Sequence, residues 1–265
     1  MRSITLGQYY PVDSPIHKLD PRVKLAVTLL YVFSLFFAKG PAGYLVAVFF
    51  LAFYIRISNV PFSFIVRGLK PIIFLLVFSV IFNLVLTPGE VLVRFWIFKI
   101  TKEGLNLALY MAIRLILLII GSSMMTYTTT PNQLTDGLEK SLGFLRKVHF
   151  PIHEIAMMMS IALRFIPILV EETDKIMKAQ MARGADFEEG NLIRRAKNLI
   201  PLLVPLFISA FRRATDLAMA MEARCYHGGE GRTKMKPLHY ERRDFVTYGA
   251  ATCYLGLIVV TRVFL

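Results

Sequence analysis

Five apolar stretches, at about residues 23–38, 42–57, 71–86, 104–127 and 245–264, constrain this chain more than any other feature. Crossing a bilayer takes about 20 predominantly apolar residues, and shorter runs suit a tight hairpin in a thin or tilted arrangement. With no water to satisfy the backbone, such runs fold as helices. The composition agrees, since a chain that is 55% hydrophobic with mean hydropathy +0.56 is foreign to most soluble domains. The fold expected is therefore an all-α membrane protein with about five transmembrane helices.

The formal net charge of +13 would fit a polyanion-binding protein, but its distribution points elsewhere. With the N-terminus inside, 25 of the 31 Lys and Arg residues fall on cytoplasmic segments, 18 of them over residues 128–243. Lys39, Arg94, Lys99, Lys102 and Arg262 are external, and Arg114 lies within a span. This asymmetry is the positive-inside rule, and it accounts for most of the basic balance without nucleic acid. About twenty mostly polar residues precede the first apolar run, without a small-residue cleavage site, so no signal peptide is expected.

Between the fourth and fifth spans lies a different kind of segment. From Pro151 to Gly228 it holds two long helical patterns with nearly identical ends, Ala179-Gln180-Met181-Ala182-Arg183-Gly184 and Ala220-Met221-Glu222-Ala223-Arg224-Cys225. Both read Ala-x-x-Ala-Arg, and the arginines stand 41 positions apart. Pro151 suits the first turn of one helix and Gly184 a left-handed C-terminal cap. The second helix is expected from about Leu192 to Arg224. Each is apolar through its middle, and each run is short of a span: Arg164 and Pro167 interrupt the first, and the second, with Pro201 and Pro205 inside it, is only the stretch between Lys197 and Arg212. Two kinked helices along the inner membrane face, with charged tips in the cytoplasm, fit better. Ala210, Ala214 and Ala218 recur every four residues, the small-xxx-small frame that lets helices cross closely.

Chemistry has few candidates here. No Gly-x-x-x-x-Gly-Lys-Ser/Thr motif is present, His153-Glu154 lacks a second histidine at position 157, and His149 with His153 lacks a third ligand. The spans contain no Asp, Glu or His for acid–base work, and Cys225 and Cys253 make neither a disulfide framework nor a metal quartet. No catalytic residue, metal or cofactor is expected. Arg114 either carries a function, as intramembrane charges do by default, or snorkels outward or bonds a polar neighbour such as Asn83. Methionines 157–159, 177, 181, 219 and 221 read as core that can also repack against partners.

Local signals complete the outline. Asp20-Pro21 reads as an N-cap and first helical residue, and Thr130-Pro131-Asn132-Gln133 as a capping box opening a helix to about Arg146. Residues 58–70 read as a loop. Val91 to Ile100, broken by Arg94 and Lys99 and carrying Trp96, reads as a hairpin or short strand pair, and 228–243 as a glycine-rich, basic linker.

Taken with Leu19-Asp20-Pro21-Arg22, Arg164-Phe165-Ile166-Pro167 and the tail from Ala220 to Lys236, the paired tips resemble the transmembrane T-component of energy-coupling factor transporters over essentially the whole chain. The resemblance implies a non-catalytic subunit of a prokaryotic cell membrane, N-terminus cytoplasmic. It also implies residues 1–127 with four spans, a cytoplasmic coupling domain over 128–243 with two long crossing helices, and a fifth span over 244–265. Ala182-Arg183-Gly184 and Ala223-Arg224-Cys225 would each dock one of two ATPase subunits. The spans would embrace a substrate-binding S-component for a vitamin or metal ion. The family's second motif is commonly Ala-Arg-Gly; Cys225 replaces that glycine, leaving Gly228 as the candidate cap. The alternative is a conventional ABC permease with its own translocation path.

The charge asymmetry predicts that reporters fused after Lys39 and after Leu265 are external and that one at Gly190 is internal. An external signal at Gly190 would turn the long helices into spans and end the coupling-domain reading.

Overall fold

The computed structural model describes residues 8–95, 98–148, 150–185, 187, 197–229, 235 and 237–264. Trp96, His149, the expected helix start at Leu192 and the linker residues Arg232, Lys234 and Lys236 lie outside them. The chain divides into two compact units, Gly7–Lys140 with Leu238–Leu265, and one containing Ser141–Pro237.

The first unit is a helical membrane assembly. Helices α1 (Pro21–Phe37) and α2 (Gly40–Ser58) form a hairpin, its turn made at Gly40 with φ 65°. Helix α3 (Phe62–Leu69) and a 3-10 turn (Lys70–Ile72) lead into α4 (Ile73–Leu86). An antiparallel pair, β1 (Val91–Phe95) with β2 (Phe98–Thr101), precedes α5 (Lys102–Thr128) and α6 (Pro131–Ser141). The chain returns to this unit as α9 (Arg242–Phe264). Tyr31, Leu35, Tyr44, Leu117, Tyr254 and Ile258 form its centre, with the Phe50 and Tyr254 rings stacked at 4.4 Å.

Several local expectations appear as bonds. Asp20 caps α1 by accepting from the Arg22 backbone N–H at 2.9 Å. The capping box closes in both directions: the Thr130 N–H donates to Gln133 Oε1 at 3.1 Å, and the Gln133 N–H to Thr130 Oγ1 at 3.3 Å. The strand pair forms where a hairpin was expected.

Other expectations are corrected. Residues 58–70 are not a loop, because Phe62, Ile65, Val66 and Leu69 recur at helical spacing and bury Ile65. Pro71, with no N–H to donate, separates this helix from α4. The compact units divide at Ser141 and Leu238. Helix α6 stays with the spans because Gly137 sits so close to Pro21 that a Cβ there would lie 2.9 Å from the proline's own. Arg114 bonds Tyr44 rather than Asn83: its Nε donates to Tyr44 Oη at 3.0 Å, while the Asn83 amide donates to the Ser79 carbonyl at 2.8 Å.

A buried polar joint holds the N-terminal end of α1. Lys24, 2% exposed, donates through Nζ to the carbonyls of His17 (3.0 Å) and Thr128 (2.8 Å), so one cation ties the N-terminal segment, α1 and α5. Asp244, equally buried, accepts from the backbone N–H groups of Asp20 (3.0 Å) and Glu241 (2.8 Å), joining the start of α9 to the cap of α1. Arg22 completes the joint, forking onto Asp20 at 2.8 and 3.0 Å and lying 4.0 Å above the Tyr240 ring. His17 faces the Tyr10 carbonyl through Nε2 at 3.0 Å, which places the ring proton there and leaves Nδ1 to accept from Ser14. Burial lowers the His17 pKa, with the Tyr10 bond acting the other way.

The second unit carries a 3-10 stretch (Leu142–Val148), helix α7 (Ile152–Ala182) and helix α8 (Ile200–Glu222). Helix α7 continues unbroken through Arg164 and Pro167, and these two residues do not leave it short of a span. Consequently α7 is, by length and apolarity, long enough to cross a membrane, as are α2, α5, α9 and the bent α3–α4 pair.

Within the joint, losing the Asp244 carboxylate strands the buried Asp20 N–H and the part-buried Glu241 N–H. Bonds to charged groups contribute about 1.5–3 kcal/mol each. Asp244→Ala should therefore lower the melting temperature of the solubilised chain sharply. Asp13→Ala, which breaks only the exposed pair with Lys18, should leave it unchanged. Equal melting of the two variants would show that the joint does not hold α9 to α1.

Candidate docking site at two helix tips

After Glu171, α7 changes from an almost wholly apolar run to a mixed one, with Asp174, Lys175 and Lys178 exposed. Its last turn then closes on itself. The N–H of Ala185 donates back to the Gln180 carbonyl at 3.0 Å and that of Gly184 to the Met181 carbonyl at 2.9 Å, with Gly184 at φ 87°. This nested pair is a Schellman closure, which satisfies two of the carbonyls that a helix end leaves over.

Helix α8 ends with the same bonds. The N–H of Tyr226 donates to the Met221 carbonyl at 3.0 Å and that of Cys225 to the Glu222 carbonyl at 2.9 Å, with Cys225 at φ 54°. Every donor and acceptor is shifted by the 41 positions that separate Arg183 from Arg224. Cys225 therefore fills the glycine's place, and the expected cap at Gly228 is corrected: Gly228 is also left-handed, at φ 96°, but lies beyond the closure. A left-handed non-glycine residue costs roughly 1–2 kcal/mol, so the second tip holds its shape against a local penalty.

These closures present both motifs to solvent. Ala182, Arg183, Gly184, Ala223, Arg224 and Cys225 are all exposed. Among the described residues neither arginine makes an ion pair. Each stands at the negative end of its helix dipole, which stabilises a cation by about 0.3–1 kcal/mol. The flanking alanines leave each guanidinium accessible, and its planar fork suits a carboxylate or a pair of carbonyls.

The two helices meet through polar contacts. Arg213 pairs with Glu172 at 3.1 Å, and the Gln180 amide donates to the Pro201 carbonyl at 3.3 Å. The alanine frame divides accordingly. Ala210 is half-buried, whereas Ala214 and Ala218 are exposed, so the half-buried face of α8 runs through Leu206, Ala210, Arg213 and Leu217. Sequence reasoning missed the Glu172–Arg213 pair although the two stand at the same 41-residue spacing as the tips. Large apolar side chains on α8, including Phe207, Ile208 and Phe211, are exposed.

Comparison with known proteins agrees over nearly the full length. A family model described as "Cobalt transport protein" matches residues 13–235. The chain is 54% identical over 263 residues to the energy-coupling factor transporter transmembrane protein EcfT of Clostridium kluyveri, covering 98% of this chain and 96% of that one. It is 51% identical over 260 residues to the protein of the same name from Ruminiclostridium cellulolyticum, covering 98% and 97%. Against that of Lactococcus lactis subsp. cremoris it is 47% identical over 245 residues, covering 92% of each. With two long helices closed alike and matches of this extent, the chain belongs to the family of energy-coupling factor transporter transmembrane proteins.

Proposed function

We propose that this chain is the transmembrane scaffold of an importer, in which the Arg183 and Arg224 tips each dock one of two cytoplasmic ATPase subunits. The observation that carries this reading is the identical closure of α7 and α8, 41 residues apart, with both Ala-Arg pairs exposed. Favourable placement on a helix dipole explains an arginine at a helix end. It does not explain why the second tip keeps a left-handed Cys225 to reproduce the first. Two equal surfaces imply two equivalent grooves on the partners.

In this reading the chain is non-catalytic and sits in a prokaryotic cell membrane with its N-terminus inside. Closure of the ATPases on ATP moves the tips. The long helices pass that movement to a separate membrane S-component that binds the vitamin or metal ion. The exposed apolar side chains of α4 and α8, such as Phe74, Phe78, Phe207 and Phe211, supply surface for lipid and for that partner. The apolar run of α7 ends at Glu171, so its charged final third carries the first tip clear of hydrocarbon whether α7 spans the membrane or lies along it. A conventional permease with its own path has no need of two matched tips.

Docking predicts a graded loss. Truncating one side of a buried charged contact costs about 2–5 kcal/mol, and reversing its sign adds repulsion. Arg183→Glu and Arg224→Glu should each leave partial ATPase assembly, and the double variant should copurify none. Wild-type ATPase yield from the double variant would reduce both arginines to helix-end ornaments.

A further inference from the structure

Glu172 and Arg213 hold equivalent positions in the two long helices, since 41 residues separate them as they separate the tips. Yet these two side chains touch each other, at 3.1 Å. When a residue contacts its own repeat equivalent, the contact lies on the axis that relates the repeats, as in an isologous interface. Glu172 stands 11 residues before Arg183, and Arg213 stands 11 before Arg224. The pair is thus the midpoint between the tips.

Other contacts give the direction of crossing. Beyond Glu172, Gln180 reaches Pro201, which precedes Arg213. At the opposite end, Gly229, past the second tip, lies against the His153 ring near the start of α7. The helices therefore run past each other in opposite senses, and the tips fall on opposite sides of the pair. Eleven residues at 1.5 Å each place a tip about 16 Å along its helix from this midpoint.

The geometry points to Glu172 and Arg213 as positioning residues that fix the register of α7 against α8, and through it the separation of the two docking tips. This rests on the docking reading for its functional meaning. Net attraction is not the means, for both side chains are about a third exposed (27% and 37%) and such pairs contribute little. Register comes from sign and place. Arg213 Nε is buried, and the outer guanidinium nitrogen donates to Glu172 Oε2 at 3.1 Å. A slip of one turn would take the carboxylate off the guanidinium and shift one tip by about 5.4 Å relative to the other. The helices carry opposite charges at this point, so the contact also distinguishes α7 from α8.

The test is a spin-label distance between Ala182→Cys and Ala223→Cys in the full-length chain, reconstituted in nanodiscs, with Cys225→Ser and Cys253→Ser as background. Glu172→Arg and Arg213→Glu should each shift or split the distance by about 5 Å. Combining them restores opposite charges in reversed order and should return the original distance. In the assembled transporter the single reversals should also lower uptake per ATP hydrolysed, with recovery in the swap. Unchanged distances in the single reversals, or the same altered distance in the swap, would overturn the proposal. So would loss of the swapped chain from the membrane alongside the single variants, whereas loss of the single variants alone supports it. These distances are read on the isolated chain and docking is read from copurified ATPases, so the two failures are separable.

Discussion

Everything proposed for this protein depends on how two helices end. A helix terminus leaves four carbonyls without intrahelical partners, and the chain must satisfy them while turning away. Here both long helices do so by the same nested pair of bonds, which fixes the backbone over six residues and sets the arginine one position before the left-handed turn. A frayed end would leave the arginine on a mobile strand and raise the entropic cost of docking. A closed end presents it in one place. That Cys225 occupies a conformation natural to glycine shows the closure being held by its bonds rather than by residue preference.

The membrane unit meets a related demand by other means. Its polar groups at the start of α1 are far apart in sequence but satisfied together, with Lys24 bridging to Thr128 and Asp244 to Asp20. Such a joint stabilises only when complete, since a half-satisfied buried network costs more than an apolar one. It gathers the ends of α1, α5 and α9 while leaving the outer faces of those helices apolar. Large side chains on those helices, such as Phe33, Leu109 and Val263, are exposed away from the joint.

Features set by neighbouring residues were legible in the sequence. The Asp20 cap, the Thr130–Gln133 box, the Gly184 turn and the strand pair after Pro88 each follow from chemistry within a few positions. Features set by distant pairing were not. Nothing near Arg114 names Tyr44 as its partner, and nothing near residue 244 announces the cap of α1, 224 positions away. The small-residue frame at Ala210, Ala214 and Ala218 shows which residues share a face without showing which face is covered. Helix α3 was overlooked because eight residues offer barely two turns of periodicity. The second closure was misplaced at Gly228 because cysteine carries no preference for a left-handed turn, so its role emerges only from the bonds around it.

Burial of both tips by ATPase subunits is the central claim, and thiol labelling reads it directly. In a Cys253→Ser chain, Cys225 is exposed at the second tip, and Ala182→Cys with Cys225→Ser supplies a thiol at the first. Maleimide labelling of each should be rapid in the isolated chain and strongly slowed once both ATPases are bound. Equal labelling rates with and without the ATPases at either position would contradict the account.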